Sequence, residues 1–77
     1  MQRFGEKLRI LRKRHGMTVR QLAALIGVKS HTHIVGLEAG RHHPSADVIL
    51  KIAAIFDVTT DQLMKDDIDL DPEPPVR

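Results

Sequence analysis

The chain has 77 residues, with 12 Lys and Arg, 10 Asp and Glu, no cysteine and a formal net charge of +2 at neutral pH. That length supports one small domain near the lower limit for folding on an apolar core alone, and the lack of cysteine excludes disulfides and thiolate metal sites. The net charge conceals a division: residues 1–56 carry ten Lys and Arg against Glu6, Glu38 and Asp47, whereas residues 57–77 carry Lys65 and Arg77 against seven carboxylates. A basic body with an acidic end favours a polyanionic partner for the body. The N-terminal ten residues are charged from the third position on and lack the apolar run of a signal peptide. Residues 48–56, the longest apolar region, are interrupted by Lys51 and too short to span a bilayer. A soluble, cytoplasmic protein with no membrane association is the expectation.

In chain order the pattern is helical throughout. Phe4, Leu8 and Leu11 fall at i, i+4 and i+7 and predict a first helix over residues 3–14, with Arg and Lys on its remaining face. Gly16 ends it. Thr18 and Gln21 have capping-box spacing and open a second helix through Ile26, whose apolar face is Leu22, Ala23 and Ile26. Gly27 then stops the chain where a left-handed backbone is cheapest. A third helix begins near Ser30 and places Ile34, Leu37 and Glu38 on one side, with His31, Thr32, Val35 and Gly36 on the other. Gly40 ends it. After the loop at residues 41–44, Ser45 caps a fourth helix to Phe56, with Ile49, Ile52, Ala53 and Phe56 inward. Thr59 and Gln62 repeat the capping box and open a short fifth helix carrying Leu63 and Met64. From Asp66 onward the chain is Asp, Pro and Glu with little to bury, which predicts a disordered tail over residues 66–77 after a domain of residues 1–65. The expected fold is all-α: a compact five-helix bundle with a central helix-turn-helix.

The order and spacing of T-x-x-Q-L-A-x-x-x-G-V, I-x-x-L-E-x-G, P-S and K-I-A-x-x-F-x-V-T-x-D-Q-L go further. Together they resemble the Cro and lambda-repressor type (XRE) helix-turn-helix family over residues 4–65. The resemblance implies a lambda-repressor-like bundle that binds operator DNA as a homodimer, with the third helix entering the major groove. Two departures stand out. Lys29 looks like one residue more than the commonest form has between Gly27 and Ile34. Val19 stands after the Thr18 cap where a Gln that touches the DNA backbone is common.

By that resemblance His31 and Thr32 occupy base-contacting positions, and Val35 and Lys29 extend the base-facing set. A Thr methyl or Val35 can pack on a thymine methyl, and Thr and His can bond base edges. Arg41, His42 and His43 lie where the family touches the sugar–phosphate backbone. Arg20, Thr18, Ser30 and Arg14 are further backbone candidates. The family pattern places an Arg opposite Glu38, and the matching residue is Arg12, with Arg9 as the fallback partner. His33 takes a position where Tyr is frequent. Val48, Ile55, Leu50, Ile68 and Leu70 are the apolar candidates for a dimer contact.

The expected function is a sequence-specific DNA-binding transcriptional regulator, a repressor acting as a homodimer on a two-fold operator. An antitoxin whose acidic tail folds onto a basic toxin, and a restriction–modification control protein, are alternatives that use the same DNA-facing surface. A protein-interaction module without DNA binding is more distant. No enzyme, cofactor or metal site is expected: His31 and His33 point about 200° apart on a helix, a poor chelate, and the carboxylates lie mainly in the tail.

Overall fold

The computed structural model describes residues 1–28 and 30–72, and five helices carry the architecture. They are α1 (Phe4–Arg14), α2 (Val19–Ile26), α3 (His31–Glu38), α4 (Ala46–Phe56) and α5 (Thr60–Met64). Among the described residues there is no strand, and no helix is long and apolar enough to cross a membrane.

Short-range chemistry sets the helix starts. The Thr18 hydroxyl accepts from the Gln21 N–H at 3.1 Å, and Gln21 Oε1 accepts from the Thr18 N–H at 2.8 Å. Thr59 and Gln62 form the same reciprocal box, both bonds at 3.0 Å. Each box satisfies two backbone donors that the helix itself leaves orphaned. Ser45 caps α4 through the Val48 N–H at 3.2 Å. α2 stops at Gly27 with φ of 88°, a left-handed turn in which a Cβ would be strained.

The core gathers Phe4, Leu8 and Leu11 of α1, Leu22, Ala23 and Ile26 of α2, Ile34 and Leu37 of α3, and four residues of α4 with Leu63 of α5. Val48 is one of those four. At 9% exposure it belongs to the core, a correction to its place among the dimer candidates. Leu50 is the large apolar residue of α4 that stays outside, at 61% exposure. Lys51 ties α4 to α2, its Nζ donating to the Ile26 carbonyl at 3.2 Å and so capping the end of the second helix.

α1 and α3 approach so closely that one glycine decides the contact. A Cβ on Gly5 would stand 2.5 Å from the carbonyl oxygens of both Leu37 and Glu38. Those are backbone atoms and cannot swing aside.

A further finding concerns Lys7, one of the basic residues on the remaining face of α1. It is fully buried, at 0% exposure. Its ammonium donates to the carbonyls of Gln62 at 2.5 Å, Lys65 at 2.8 Å and Ile68 at 2.6 Å. Those acceptors include carbonyls at the end of α5, so one ammonium closes the last helix and the turn after it. Burial of a charge is tolerable here because all three donors find an oxygen.

The expected free tail is corrected over residues 66–72. The Asp66 carboxylate accepts from the main-chain N–H groups of Gln2 at 3.0 Å and Arg3 at 2.9 Å, where α1 has no cap of its own. Arg3 Nη1 reaches the Asp66 carbonyl at 2.9 Å and Asp69 Oδ1 at 2.8 Å. Leu70 packs against the core, half-buried. Composition favoured disorder, but backbone donors and Arg3 give these carboxylates specific partners. Residues 73–77 lie outside the described part.

Two outcomes are expected. Gly5→Ala should lower unfolding free energy by roughly 1–3 kcal/mol in urea titrations, because overpacking against backbone outweighs the helix-propensity gain of about 1 kcal/mol. The second concerns pH. The Arg3 and Gln2 N–H groups hold the Asp66 carboxyl below its ordinary value, and the bond from Arg3 does the same for Asp69. A depressed carboxyl stabilises fully above its unfolded pKa, about 4, and loses that contribution as pH falls through the lowered native value. Protection of the Gln2 and Arg3 amides, measured against intrinsic exchange at each pH, should therefore fall below about pH 4, and Asp66→Asn should remove the step.

Candidate nucleic-acid interface

α3 begins at a capped, exposed turn. Ser30 has extended backbone, and its Oγ accepts from the Thr32 N–H at 3.2 Å. Ile34 and Leu37 point into the core, anchoring the helix from below. On the opposite side Thr32 and Val35 are exposed, Val35 at 39%, and His31 is half-buried. An exposed helix face above two buried anchors can be offered to a partner without disturbing the fold.

Glu38 closes the helix and would set a negative charge beside that face. It is neutralised from α1: Arg12 Nε donates to Glu38 Oε2 at 2.7 Å and Arg12 Nη2 to Oε1 at 3.1 Å. The third guanidinium nitrogen donates to the Met17 carbonyl at 2.8 Å. The side chains are only 13% and 9% exposed, so the fork geometry acts in a shielded place. The Glu38 carboxylate, through its hydrogen bonds, holds the Arg12 guanidinium above its ordinary value. Arg12 thereby joins α1, the lead-in to α2 and the end of α3. Over this pair runs an open cleft lined by Arg9, Val19, Val35 and Ala39, which makes the start of α2 continuous with the outer side of α3.

Thr18, Arg20 and Ser30 are exposed around the same surface, as are Arg41 and His43 in the loop after α3. Lys29 lies outside the described residues. Arg14 is not brought to this surface: its Nη1 donates to the Asp71 carbonyl at 2.7 Å. It lines a hollow with Leu11, His15 and Phe56 instead. That corrects its assignment to the DNA backbone, and the cause is the docked segment that composition had marked as free.

Gly36 is corrected as well. It is buried rather than outward, and the His42 ring lies on it so closely that a Cβ would collide. The imidazoles of His33 and His42 stack, with centroids 5.4 Å apart and planes 19° from parallel. The Gly36 carbonyl also accepts from the Arg41 N–H at 2.9 Å and the His42 N–H at 3.3 Å. His42 thus packs the 41–43 loop onto α3 and is itself exposed there, beside Arg41 and His43. Periodicity could not show this, since the covering ring comes from beyond the helix. Among the described residues no group of three or more His, Asp or Glu is placed to hold a metal ion.

Comparison with known proteins gives three matches of note and one family. The helix-turn-helix family model matches residues 8–63. An HTH-type transcriptional regulatory protein of Thermococcus kodakarensis is 43% identical over 53 residues, which is 69% of this chain and 16% of that relative. An uncharacterized HTH-type transcriptional regulator of Archaeoglobus fulgidus is 39% identical over 57 residues, 74% of this chain and 80% of the relative. This chain therefore spans most of one relative and about a sixth of the other. Among solved structures, the restriction-modification controller protein C.AhdI from Aeromonas hydrophila superposes with a TM-score of 0.72 at 33% identity. That superposition covers 82% of this chain and 94% of the controller.

Two substitutions probe the geometry without any ligand. Arg12→Ala leaves Glu38 charged and shielded without its partner and should destabilise the fold by about 3–5 kcal/mol. Gly36→Ala should leave the melting temperature within a few degrees of wild type. The obstructing atoms are the end of a side chain that can swing away, and Ala favours the helix by about 1 kcal/mol. The ring-proton signals of His33 and His42 should lose their mutual stacking shifts; unchanged spectra would contradict the packing described.

Proposed function

This chain belongs to the helix-turn-helix family of the Cro and lambda-repressor type, and on that premise we propose that it is a sequence-specific, DNA-binding transcriptional regulator. It acts as a repressor, binding a two-fold operator in double-stranded DNA as a homodimer. The observation that carries this reading is the division of α3: Ile34 and Leu37 are sealed in the core while Thr32 and Val35 are exposed. The first turns of α3 enter the major groove, where His31, Thr32 and Val35 meet base edges. Arg41, His42, His43, Arg20, Thr18 and Ser30 meet phosphates on either side, with Lys29 beside them in the sequence. Neutralisation of Glu38 by Arg12 removes the one carboxylate of α3 that would oppose such an approach.

The controller reading has a specific support, the superposition with C.AhdI over 94% of that chain. It differs in the genes regulated and uses the same surface. The antitoxin reading requires the acidic end to be available to a basic toxin. Asp66 and Asp69 are instead engaged by Arg3 and by main-chain N–H groups, which weighs against it.

Selection of binding sites from random duplexes should return a two-fold motif, with half-sites about one helical turn apart. Arg41→Ala should weaken binding evenly across sequences and reduce the slope of log affinity against log salt by about one. Thr32→Ala should change the preferred base at one position per half-site, costing about 1–3 kcal/mol there. Equal affinity for random DNA, or a motif without symmetry, would overturn the proposal.

A further inference from the structure

The four bases make different demands on a helix in the major groove. Guanine is read best by the two-pronged donors of Arg or Lys, adenine by the amide of Asn or Gln, and cytosine by a carboxylate. Thymine alone offers a methyl group, which an apolar side chain can cover.

α3 reads HTHIVGLE and contains no Arg, Lys, Asn or Gln. Its single carboxylate, Glu38, is held by two hydrogen bonds from Arg12 and turned away from any cytosine. Gly36 is covered by His42. What remains toward a duplex is the isopropyl group of Val35, the methyl and hydroxyl of Thr32, and the half-buried imidazole of His31. Val35 also lines the cleft with Val19 of α2 and Ala39, beside Arg9 and the Arg12–Glu38 pair, so apolar groups of two helices meet at its edge.

We infer that this surface reads thymine methyl groups, and that its target half-site is defined by thymines placed against Val35 and Thr32 rather than by two-pronged hydrogen bonding to purines. The inference rests on the assignment of α3 as the base-facing element. Discrimination of this kind is modest for each base, because a methyl contact is worth what burying one CH2-sized group yields, about a fourfold change in affinity. The remaining selectivity falls to the spacing of half-sites and to duplex shape along the contacted backbone.

The test replaces each thymine of a selected operator, one at a time, by deoxyuridine. That exchange deletes the methyl and keeps every hydrogen-bonding group. At one or more positions in each half-site, affinity of the wild-type chain should fall about fourfold. Val35→Ala, at an exposed position that leaves the core intact, should bind the thymine operator less well and lose the penalty at its own position. Thr32→Ser, which removes the methyl and keeps the hydroxyl, should do so at a different position. Binding that is indifferent to deoxyuridine everywhere would overturn the inference and leave the DNA-binding assignment standing. So would a penalty that persists unchanged in both variants. Lys29→Ala reports on the remaining source of base reading: loss of a guanine preference together with all deoxyuridine effects would move recognition to the turn and overturn the inference. Absence of binding to any duplex at low salt would instead remove the functional assignment on which it rests.

Discussion

The ion pair between Arg12 and Glu38 is the contact on which the orientation of α3 depends. Its value lies less in net stability than in specification, since burying two charges costs nearly what their attraction returns. The guanidinium has one carboxylate on α3 and one carbonyl at Met17 as acceptors, and its two carboxylate bonds are 2.7 and 3.1 Å long. A planar fork satisfied in this way admits one angle between α1 and the end of α3. Gly5 then allows the two backbones to close, and any larger residue would hold them apart. With that angle set, Ile34 and Leu37 face inward, and the side of α3 bearing Thr32 and Val35 faces out.

A second set of polar contacts ties the start of α1 to the end of α5 and the turn after it. Lys7 closes the carbonyls after α5, and Asp66 closes the N–H groups before α1. Each terminal region thus supplies the cap that the other lacks. In a chain with a core this small, such exchanges replace apolar area that is not available. They also give Asp66 and Asp69 specific partners at the start of α1.

What the sequence disclosed was what depends on near neighbours. The boxes at Thr18–Gln21 and Thr59–Gln62, the Ser45 cap and the stop at Gly27 are all decided within four residues, and each lies where the spacing puts it. The inward apolar side chains of α1, α2 and α3 follow from helical period alone. The family pattern placed Arg12 opposite Glu38, and the structure joins them. What stayed hidden was set by contacts across long separations. Lys7 looks like a surface lysine until Gln62, Lys65 and Ile68, 55 or more residues away, are folded onto it. Gly36 looks outward until His42 turns back over it. Val48 looks peripheral because the burial of α4 is wider than its strictest stripe. The 66–72 segment has the composition of a free tail, and only its pairing with Arg3 and Arg14 reveals otherwise.

Mapping of backbone amide shifts during titration with a selected duplex tests the central claim most directly. The account predicts that the largest changes fall in residues 30–36, with a second group at 18–20 and a third at 41–43, while the outer face of α4 around Leu50 and Ala54 stays silent. Changes centred on α4 with α3 unmoved would contradict it.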